Sequence, residues 1–592
     1  MSAQAIVSAF AEFLADPGGL LPADALNPEP LIGAATDRDH AFLSDAAIPA
    51  DPSRAAIVAV IDDAIPFAHQ MLRYGDVSRV AAFWAQDARP SVADGDMPWG
   101  REWRGSGIDG LLRRLATGDL PDEDSLYRAA GVLDYGRGLR PSAGYAHGHG
   151  AAVSVLAAGF RPDDPAARSH PVIAVSLPSK LTEDSMGASA PPYIMAAILF
   201  VVLRARQLCR FIEQRRGLAR GSLRMPVVIN ISYGLTAGPR DGSTLLERLM
   251  DELSRHSLPD LGPIRFVLPM GNHRQAMLVG RLRPGERLIW RLRPGDQTAS
   301  AVEIWGPSLD RLPRNPFAVH LSAPGQPATA TAFTAEGQVS ILRDSAGDEV
   351  ARAYYQRQRS ADNHRWREGI TIIAMPTCPE KAGDPWAPPG DWELRIDPAA
   401  ADGVYEISVQ RDESIPGYPR EARQSVLFDH HYQICDPKGR VRRDDPPRSL
   451  SRVRRRNTLN AYAGGAETLR AGAALLAPLP PGPGVGPDGR AGSIYSGMQK
   501  NGRNGDVQAV ADRGPTCPGI PVAGRDSGAI LASNGTSVAT PQLARWLAVQ
   551  MAAGFRPADR AQMIQRAWGA APVPPEDDVA PVLPFTLSYP EY

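Results

Sequence analysis

The sequence predicts an α/β protein: a parallel, doubly wound sheet flanked by helices, with an all-β sandwich domain inserted into it. Between about residues 55 and 273, apolar runs of strand length alternate with helical patterns, as in a sheet covered on both faces. Short alternating runs separated by Pro, Gly, Asp and Asn then follow, and helical patterns are nearly absent from them. The α/β pattern returns near Thr458.

These changes of pattern predict four regions. They are an N-terminal segment with a short helix (1–52), the first part of an α/β domain (53–274), an inserted β-sandwich (275–445) and the second part of the α/β domain (446–592). In the α/β regions we expect strands at 55–61, 172–177, 227–232 and 264–270 and helices at 151–158, 193–215, 245–256, 536–553 and 558–568. In the insert we expect strands at 288–292, 301–305, 318–321, 338–342, 370–374, 391–396 and 404–409.

Composition excludes several classes of function. The 592 residues include 64 Lys and Arg and 65 Asp and Glu, so no global field attracts nucleic acid or an anionic membrane. Four cysteines lie far apart without CxxC spacing, which argues against a zinc site or a disulfide scaffold. No secretory signal is recognised and the cysteines are few, so we expect a cytoplasmic protein. We expect no cofactor and no metal.

Polar side chains at the ends of the predicted elements suggest a chemistry. A serine nucleophile needs a histidine base, a carboxylate that orients the base, and donors for the oxyanion. Asp62 ends the apolar strand VAVID, and His147 and His149 precede a helix of small residues. Asn272 follows the strand FVLPM, and Ser537 lies at the start of the helix predicted at 536–553. We expect such groups to meet at the carboxyl edge of a parallel sheet.

The last of these segments carries a resemblance to a known family. Residues 534–541, NGTSVATP, closely resemble the Gly-Thr-Ser-Met-Ala-Thr/Ser-Pro nucleophile motif of subtilisin-like serine proteases, peptidase family S8. Residues 58–64, VAVIDDA, are similar to the family's apolar strand followed by Asp, Ser/Thr and Gly. They depart from it at Asp63 and Ala64, so Asp63 is a rival to Asp62 as the triad acid. The chain order Asp, His, Ser is that of subtilisin.

The base and the oxyanion donor are identified by the same resemblance. Residues 147–153, HGHGAAV, resemble His-Gly-Thr-His/Ala-Val-Ala-Gly, and the register that starts at His149 matches more positions than the register from His147. His69 also stands where the family tends to carry a histidine. The segment ending at Asn272 resembles the family's apolar strand followed by Ala-Gly-Asn. There Pro269 and Met270 replace small residues that border the pocket for the residue before the scissile bond.

Further segments resemble the family's substrate cleft. Residues 230–234, NISYG, and 185–189, SMGAS, are similar to the two strand edges that hold an extended peptide. The substrate-binding residues implied are Ser232, Tyr233, Gly234, Gly187 and Ala188. Residues 493–496, SIYS, resemble a Ser-Phe-Ser-Ser stretch that precedes the nucleophile. Some family members carry a jelly-roll-like domain between the oxyanion asparagine and the serine, and we expect one here.

The resemblance implies a serine endopeptidase. Asp62, His149 and Ser537 would form its triad, Asn272 would line its oxyanion hole, and a protein or peptide would be its substrate. Two alternatives stay open. One is an inactive interaction protein on the same fold, with a protein partner bound through the β insert. The other is a peptide ligase or macrocyclase that uses the same triad.

Overall fold

The computed structural model describes residues 41–88, 97–134, 148–179, 181, 189–256, 258–313, 315–360, 364–381, 383–414, 421–480, 485 and 489–569. Four predictions fall outside these residues: the N-terminal helix, His147, Gly187 and Ala188.

The strands of the described residues are numbered in chain order. The first eight are β1 (Ile57–Asp62), β2 (Arg73–Tyr74), β3 (Val77–Ser78), β4 (Val80–Ala85), β5 (Arg101–Arg104), β6 (Val172–Ser176), β7 (Val227–Ile231) and β8 (Ile264–Pro269). Then come β9 (Val279–Leu282), β10 (Arg287–Leu292), β11 (Ser300–Trp305), β12 (Val319–Ser322), β13 (Thr329–Ala330), β14 (Val339–Arg343), β15 (Glu349–Arg359), β16 (Trp366–Ala374), β17 (Gly390–Ile396), β18 (Tyr405–Val409) and β19 (Val426–Phe428). The last are β20 (Leu469–Leu475), β21 (Val507–Asp512), β22 (Ile520–Ala523) and β23 (Ile530–Ser533).

Seven α-helices lie in the described residues. They are α1 (Gly105–Ala116), α2 (Glu123–Ala129), α3 (His149–Ala158), α4 (Ala190–Arg216), α5 (Leu245–Arg255), α6 (Thr536–Ala552) and α7 (Arg560–Trp568). Within the described residues, none of them is both long enough and apolar enough to cross a membrane.

A mostly parallel sheet forms the centre of the molecule. In the described residues its strand order is β21-β20-β8-β7-β1-β6-β4-β5, and only β5 is antiparallel to its neighbour. Alternate residues of β1 face two separate cores. Ile57, Ala59 and Ile61 pack in the core that contains α4 and α5, and Val58 and Val60 pack in the core that contains α3 and α6. Burial on both faces explains why the strand is apolar throughout.

Two antiparallel sheets are built from the strands between Val279 and Phe428. Their orders are β13-β12-β17-β10-β19 and β14-β15-β16-β11-β18-β9. A single apolar core contains side chains from both sheets, and in it Trp290 and Trp392 meet with ring centroids 6.2 Å apart. The protein is therefore mixed α/β, with a largely parallel sheet and separate antiparallel sheets. Both parts of this arrangement match the expectation from sequence.

Candidate active site

Each of the four predicted groups lies at the end of a strand or the start of a helix. Asp62 is the last residue of β1, and His149 is the first residue of α3. Asn272 follows β8 after a turn in which Gly271 has φ +93°. Ser537 is the second residue of α6, whose N-cap is Gly535. Helices α3 and α6 pack against each other over one face of the central sheet.

Asp62 and His149 form a close hydrogen-bonded pair. His149 Nδ1 lies 2.6 Å from Asp62 Oδ1, and the Asp63 amide donates to the same oxygen at 2.8 Å. The Asp62 side chain is 3% exposed, whereas that of His149 is 42% exposed. A buried carboxylate therefore holds one ring nitrogen of an imidazole that solvent can reach. This arrangement fixes the ring orientation and leaves Nε2 as the nitrogen for any further chemistry.

Charge around the imidazole changes its titration. Burial of the imidazole lowers its pKa, because burial disfavours the protonated form. The negative charge of Asp62, the hydrogen bond from Asp62 and the negative charge of Asp63 raise the pKa by more. Together they raise the pKa of His149 to about 9. The neutral imidazole is the form that can accept a proton, so its population increases as the pH rises toward this value.

Asp63 has a different partner. Its Oδ1 accepts a hydrogen bond from the Gly150 amide at 3.0 Å, in the first turn of α3, where helix amides have no partner within the helix. Gly150 has no room for a side chain, since a Cβ there would lie 1.6 Å from the Asp63 carbonyl oxygen. Ala64 takes φ +37°, at the position where the motif that this segment resembles has glycine. The geometry thus favours Asp62 as the partner of the histidine and Asp63 as a helix cap.

Ser537 and Asn272 both border Gly535. A Cβ on Gly535, whose φ is +116°, would lie 3.1 Å from Asn272 Nδ2 and 3.3 Å from Ser537 Oγ. The Ser537 amide, in the first turn of α6, has no hydrogen-bond partner within the described residues. A serine hydroxyl and two potential donors, the Asn272 amide group and the Ser537 N–H, are therefore gathered around one glycine.

Thr536 determines which end of the Asn272 amide faces Ser537. The Thr536 backbone amide and hydroxyl donate to Asn272 Oδ1 at 2.8 and 2.9 Å. The Thr536 hydroxyl in turn accepts from the Gly271 amide at 3.0 Å. Oδ1 is engaged by two donors, and Nδ2 is the end of the amide that lies nearer to the Cβ position of Gly535, which Ser537 Oγ also borders. The sequence motif contains Thr536, but only the fold reveals this contact.

One expected contact is not made. Within the described residues His149 and Ser537 are not hydrogen-bonded to each other. The structure thus joins Asp62 with His149 by a hydrogen bond, and it places Asn272 and Ser537 beside the same residue, Gly535. Hydrogen bonds of this kind are often long in proteins without substrate and shorten when substrate binds.

The predicted substrate strand follows β7. Ser232 Oγ donates to the Ser537 carbonyl at 3.2 Å, and it accepts from Asn230 Nδ2 at 3.1 Å. The amide and carbonyl of Gly234 have no hydrogen-bond partner within the described residues. None of the described residues occupies this edge, so among them it is free to pair with an extended peptide. Gly187 and Ala188, predicted for the opposite edge, lie outside the described residues.

Asn460, which sequence reasoning missed, supports the other edge of this strand. Its Nδ2 donates to the Tyr233 carbonyl at 3.1 Å, and its Oδ1 accepts from the Leu235 amide at 3.2 Å. A Cβ on Gly234 would collide with the Asn460 side chain at 2.2 Å. Asn460 lies far along the chain in a segment without a recognised motif, so no sequence signal indicated its role.

A pocket opens next to this strand. It has a volume of about 240 Å³ including its mouth, and its lining includes Leu235, Thr236, Gly271 and Thr458. Pro269 and Met270, which we expected to border a pocket for the residue before the scissile bond, do not line it. Met270 is instead fully buried in the core beneath.

His69 and the Asp429 cluster do not join the site. His69 Nδ1 accepts from the Met71 amide at 3.1 Å, and burial lowers the pKa of His69 to about 4, so its ring is a neutral cap. Asp429, His430 and His431 lie close enough together to suggest a metal. However, both oxygens of Asp429 already accept backbone amides, from His431 and Arg452.

Comparison with known proteins identifies the fold. No protein-family model matches the chain, and no curated protein matches its sequence. Among solved structures, the chain is similar to the CspB protease of Clostridium perfringens, with a TM-score of 0.57 and 14% identity. The match covers 90% of this chain and 92% of that chain. At this level of identity the likeness shows the fold, and the fold is one that a protease adopts.

Proposed function

We propose that this protein is a serine endopeptidase of the subtilisin type, with Asp62, His149 and Ser537 as its triad. The observation that carries the proposal is the 2.6 Å hydrogen bond between buried Asp62 and His149. Ser537 and Asn272, which both border Gly535, would supply the nucleophile and an oxyanion donor. The protease fold and the nucleophile motif support the same activity.

The reaction proceeds through an acyl-enzyme. Ser537 Oγ attacks the peptide carbonyl carbon while His149 Nε2 accepts the hydroxyl proton, and the carbonyl electron pair moves onto oxygen. Asn272 Nδ2 and the Ser537 amide donate to that oxyanion. As the carbonyl re-forms, the C–N bond breaks and His149 gives its proton to the leaving amine. Water, activated by the same histidine, then hydrolyses the ester.

Each remaining residue of the site has a positioning role in this scheme. Asp62 holds Nδ1–H, so that Nε2 is the basic nitrogen. Thr536 orients the Asn272 amide, and Ser232 braces the Ser537 carbonyl. The open edge at Gly234 pairs with the residues before the scissile bond. The reaction also requires Ser537 Oγ and His149 Nε2 to come within hydrogen-bond reach when substrate binds.

A fluorophosphonate probe tests the proposal, because only an activated serine reacts with it. We expect covalent labelling of the full chain at Ser537. We also expect hydrolysis of a general peptide substrate, with products that together gain the mass of one water. Ser537→Ala and His149→Ala should lose both signals. Ser222→Ala and His430→Ala, at exposed positions, should keep both.

A second function is favoured by one specific observation, the missing hydrogen bond between His149 and Ser537. In that case the chain binds peptides or a protein partner along the same cleft without cleaving them. Wild-type protein that neither reacts with the probe nor cleaves peptides between about pH 6 and pH 10 would contradict the protease proposal and favour this one. Products that lose water instead would point to a peptide ligase.

A further inference from the structure

Two buried carboxylates lie together at one end of the β-sandwich. Asp296 is in the turn between β10 and β11, and Asp412 lies three residues after the end of β18. Each residue is only 1% exposed. Both carboxylates are within hydrogen-bond distance of one hydroxyl, since Thr298 Oγ1 lies 2.8 Å from Asp296 Oδ1 and 2.7 Å from Asp412 Oδ1.

The protein provides few hydrogen-bond donors for these two carboxylates. The Thr298 amide donates to Asp296 Oδ1 at 3.0 Å, and Ser300 Oγ lies 3.4 Å from Asp296 Oδ2. The Thr298 hydroxyl carries one proton, so it can serve only one of the two carboxylates at a time. Asp412 Oδ2 is buried and has no hydrogen-bond partner within the described residues.

Among the described residues, no cationic side chain compensates the charge of this pair. In the described part of the chain, neither carboxylate is within ion-pair distance of Lys, Arg or His, and the adjacent Arg411 pairs with Glu413 at 3.0 Å instead. Two like charges without a counter-ion are costly in a protein interior, so the pair requires either a proton or a cation.

We propose that a hard divalent cation, Ca²⁺, binds between Asp296 and Asp412, with the hydroxyl oxygens of Thr298 and Ser300 as further ligands. Two carboxylates match the charge of a divalent ion, and the unpartnered Oδ2 of Asp412 supplies a free ligand atom. An all-oxygen set that includes neutral hydroxyls suits Ca²⁺, which accepts irregular geometry. Mg²⁺ demands a near-ideal octahedron, and Zn²⁺ prefers nitrogen and sulfur.

The proposed cation site lies beside the segment by which the sandwich contacts the α/β part of the chain. Asp412 follows Gln410, whose Oε1 accepts from the Thr236 and Ala237 amides at 3.1 and 3.3 Å. The Asp412 amide itself donates to Gln424 Oε1 at 3.0 Å. A cation that joins Asp412 to the β10–β11 turn would therefore stabilise the segment by which the sandwich contacts the chain following Gly234.

The test uses the full chain with Ser537→Ala, so that proteolysis cannot affect the measurement. We expect isothermal titration to show one Ca²⁺ bound per chain and weaker Mg²⁺ binding. We also expect Ca²⁺ at a hundredfold excess over Kd to raise Tm relative to EDTA by about 2 °C for unfolding of the whole chain as one unit, and by about 8 °C for separate unfolding of the sandwich. Asp412→Asn and Asp296→Asn should abolish binding and the Tm response. Each should also raise Tm in EDTA, since each removes one of the two like charges.

The matched control is Asp391→Asn, which replaces a half-exposed aspartate paired with Arg291 in the same sandwich and should keep the full Ca²⁺ response. Absence of Ca²⁺ binding by the parent chain overturns the proposal and assigns a shared proton to the pair. A response that persists in both Asp412→Asn and Asp296→Asn overturns it too, because the ion then lies elsewhere. If neither variant folds, a crystal structure of the parent chain grown with Ca²⁺ decides the question by the presence or absence of the ion between the carboxylates.

Discussion

Asp62 and Asp63 are adjacent carboxylates with different partners, so replacing each by its amide separates their roles. Asp62→Asn keeps the shape of the side chain but removes the charge that holds Nδ1–H of His149. We expect kcat to fall by about 10⁴-fold, as when the acid of such a triad becomes an amide. The acidic limb of kcat/KM should also move to lower pH. The neighbouring charge raises the pKa of His149, and its loss lets the pKa fall.

Asp63→Asn is the matched control for this prediction. Asparagine keeps an acceptor oxygen for the Gly150 amide that caps α3, so only the negative charge at the helix N-terminus is lost, which should cost about 0.3–1 kcal/mol of stability, measured by denaturant unfolding. The pH profile should shift only slightly, because Asp63 adds a smaller charge effect on His149. A larger loss of kcat in Asp63→Asn than in Asp62→Asn would reverse the assignment of the triad acid.

At the scale of residues, a sequence can supply the types of groups and their order along the chain. Asp62, His149, Asn272 and Ser537 stand at element ends that periodicity and motif both indicate. The hydrogen bond from Thr536 to Asn272 spans 264 positions, and the contact from Asn460 to Tyr233 spans 227. Contacts of this range depend on which strands become neighbours in the sheet, and local patterns carry no information about that.

At the scale of elements, Tyr495 connects the two turns of the site. Its hydroxyl accepts from the Gly535 amide at 2.9 Å and donates to buried Asp512 at 2.7 Å. Its carbonyl accepts from the Arg274 amide at 3.1 Å. The turn that carries Asn272 and the turn that precedes Ser537 are therefore both attached to one residue, which lies in the SIYS stretch.

Tyr495→Phe should loosen the nucleophile turn. It leaves the Gly535 amide without its acceptor and Asp512 without one donor, which should cost about 1–3 kcal/mol of stability. We expect kcat to fall about tenfold with KM unchanged, because the turn moves while the substrate strand does not. Tyr432→Phe is the control. Its buried hydroxyl has no hydrogen-bond partner in the described residues, so kcat and stability should stay near wild type.

Strands with a clear apolar pattern were predicted from the sequence, and a strand without such a pattern was missed. The strands expected at 55–61, 227–232 and 264–270 are observed as Ile57–Asp62, Val227–Ile231 and Ile264–Pro269. The longest strand, β15, was missed. Its sequence EVARAYYQRQR is rich in polar and charged residues, and only its first half buries side chains regularly. Its position depends on pairing with β14 and β16, which composition does not report.

At the scale of the whole molecule, the sandwich contacts the α/β part of the chain beside the proposed cleft. Arg240 donates to Ser408 Oγ at 2.7 Å, and Arg367 pairs with Asp241 at the same distance. The Thr236 hydroxyl donates to the Val409 carbonyl at 3.0 Å. All these contacts fall on the segment 236–241, directly after the open edge at Gly234. The sandwich is therefore placed to determine how rigid that edge is.

Gln410→Ala tests this coupling. Without the side chain, the Thr236 and Ala237 amides lose a buried acceptor that no water easily replaces, and we expect a loss of about 1–3 kcal/mol in unfolding free energy. We expect KM for extended peptides to rise several-fold while fluorophosphonate labelling of Ser537 continues, because the substrate edge loosens and the triad does not.

The control is Gln338→Ala. The Gln338 side chain also accepts hydrogen bonds from two backbone amides, those of Thr334 and Ala335, but at an exposed turn. Water can replace that acceptor, so both quantities should stay near wild type. An unchanged KM in Gln410→Ala, together with the expected loss of stability, would mean that the sandwich supports the fold without influencing the substrate edge.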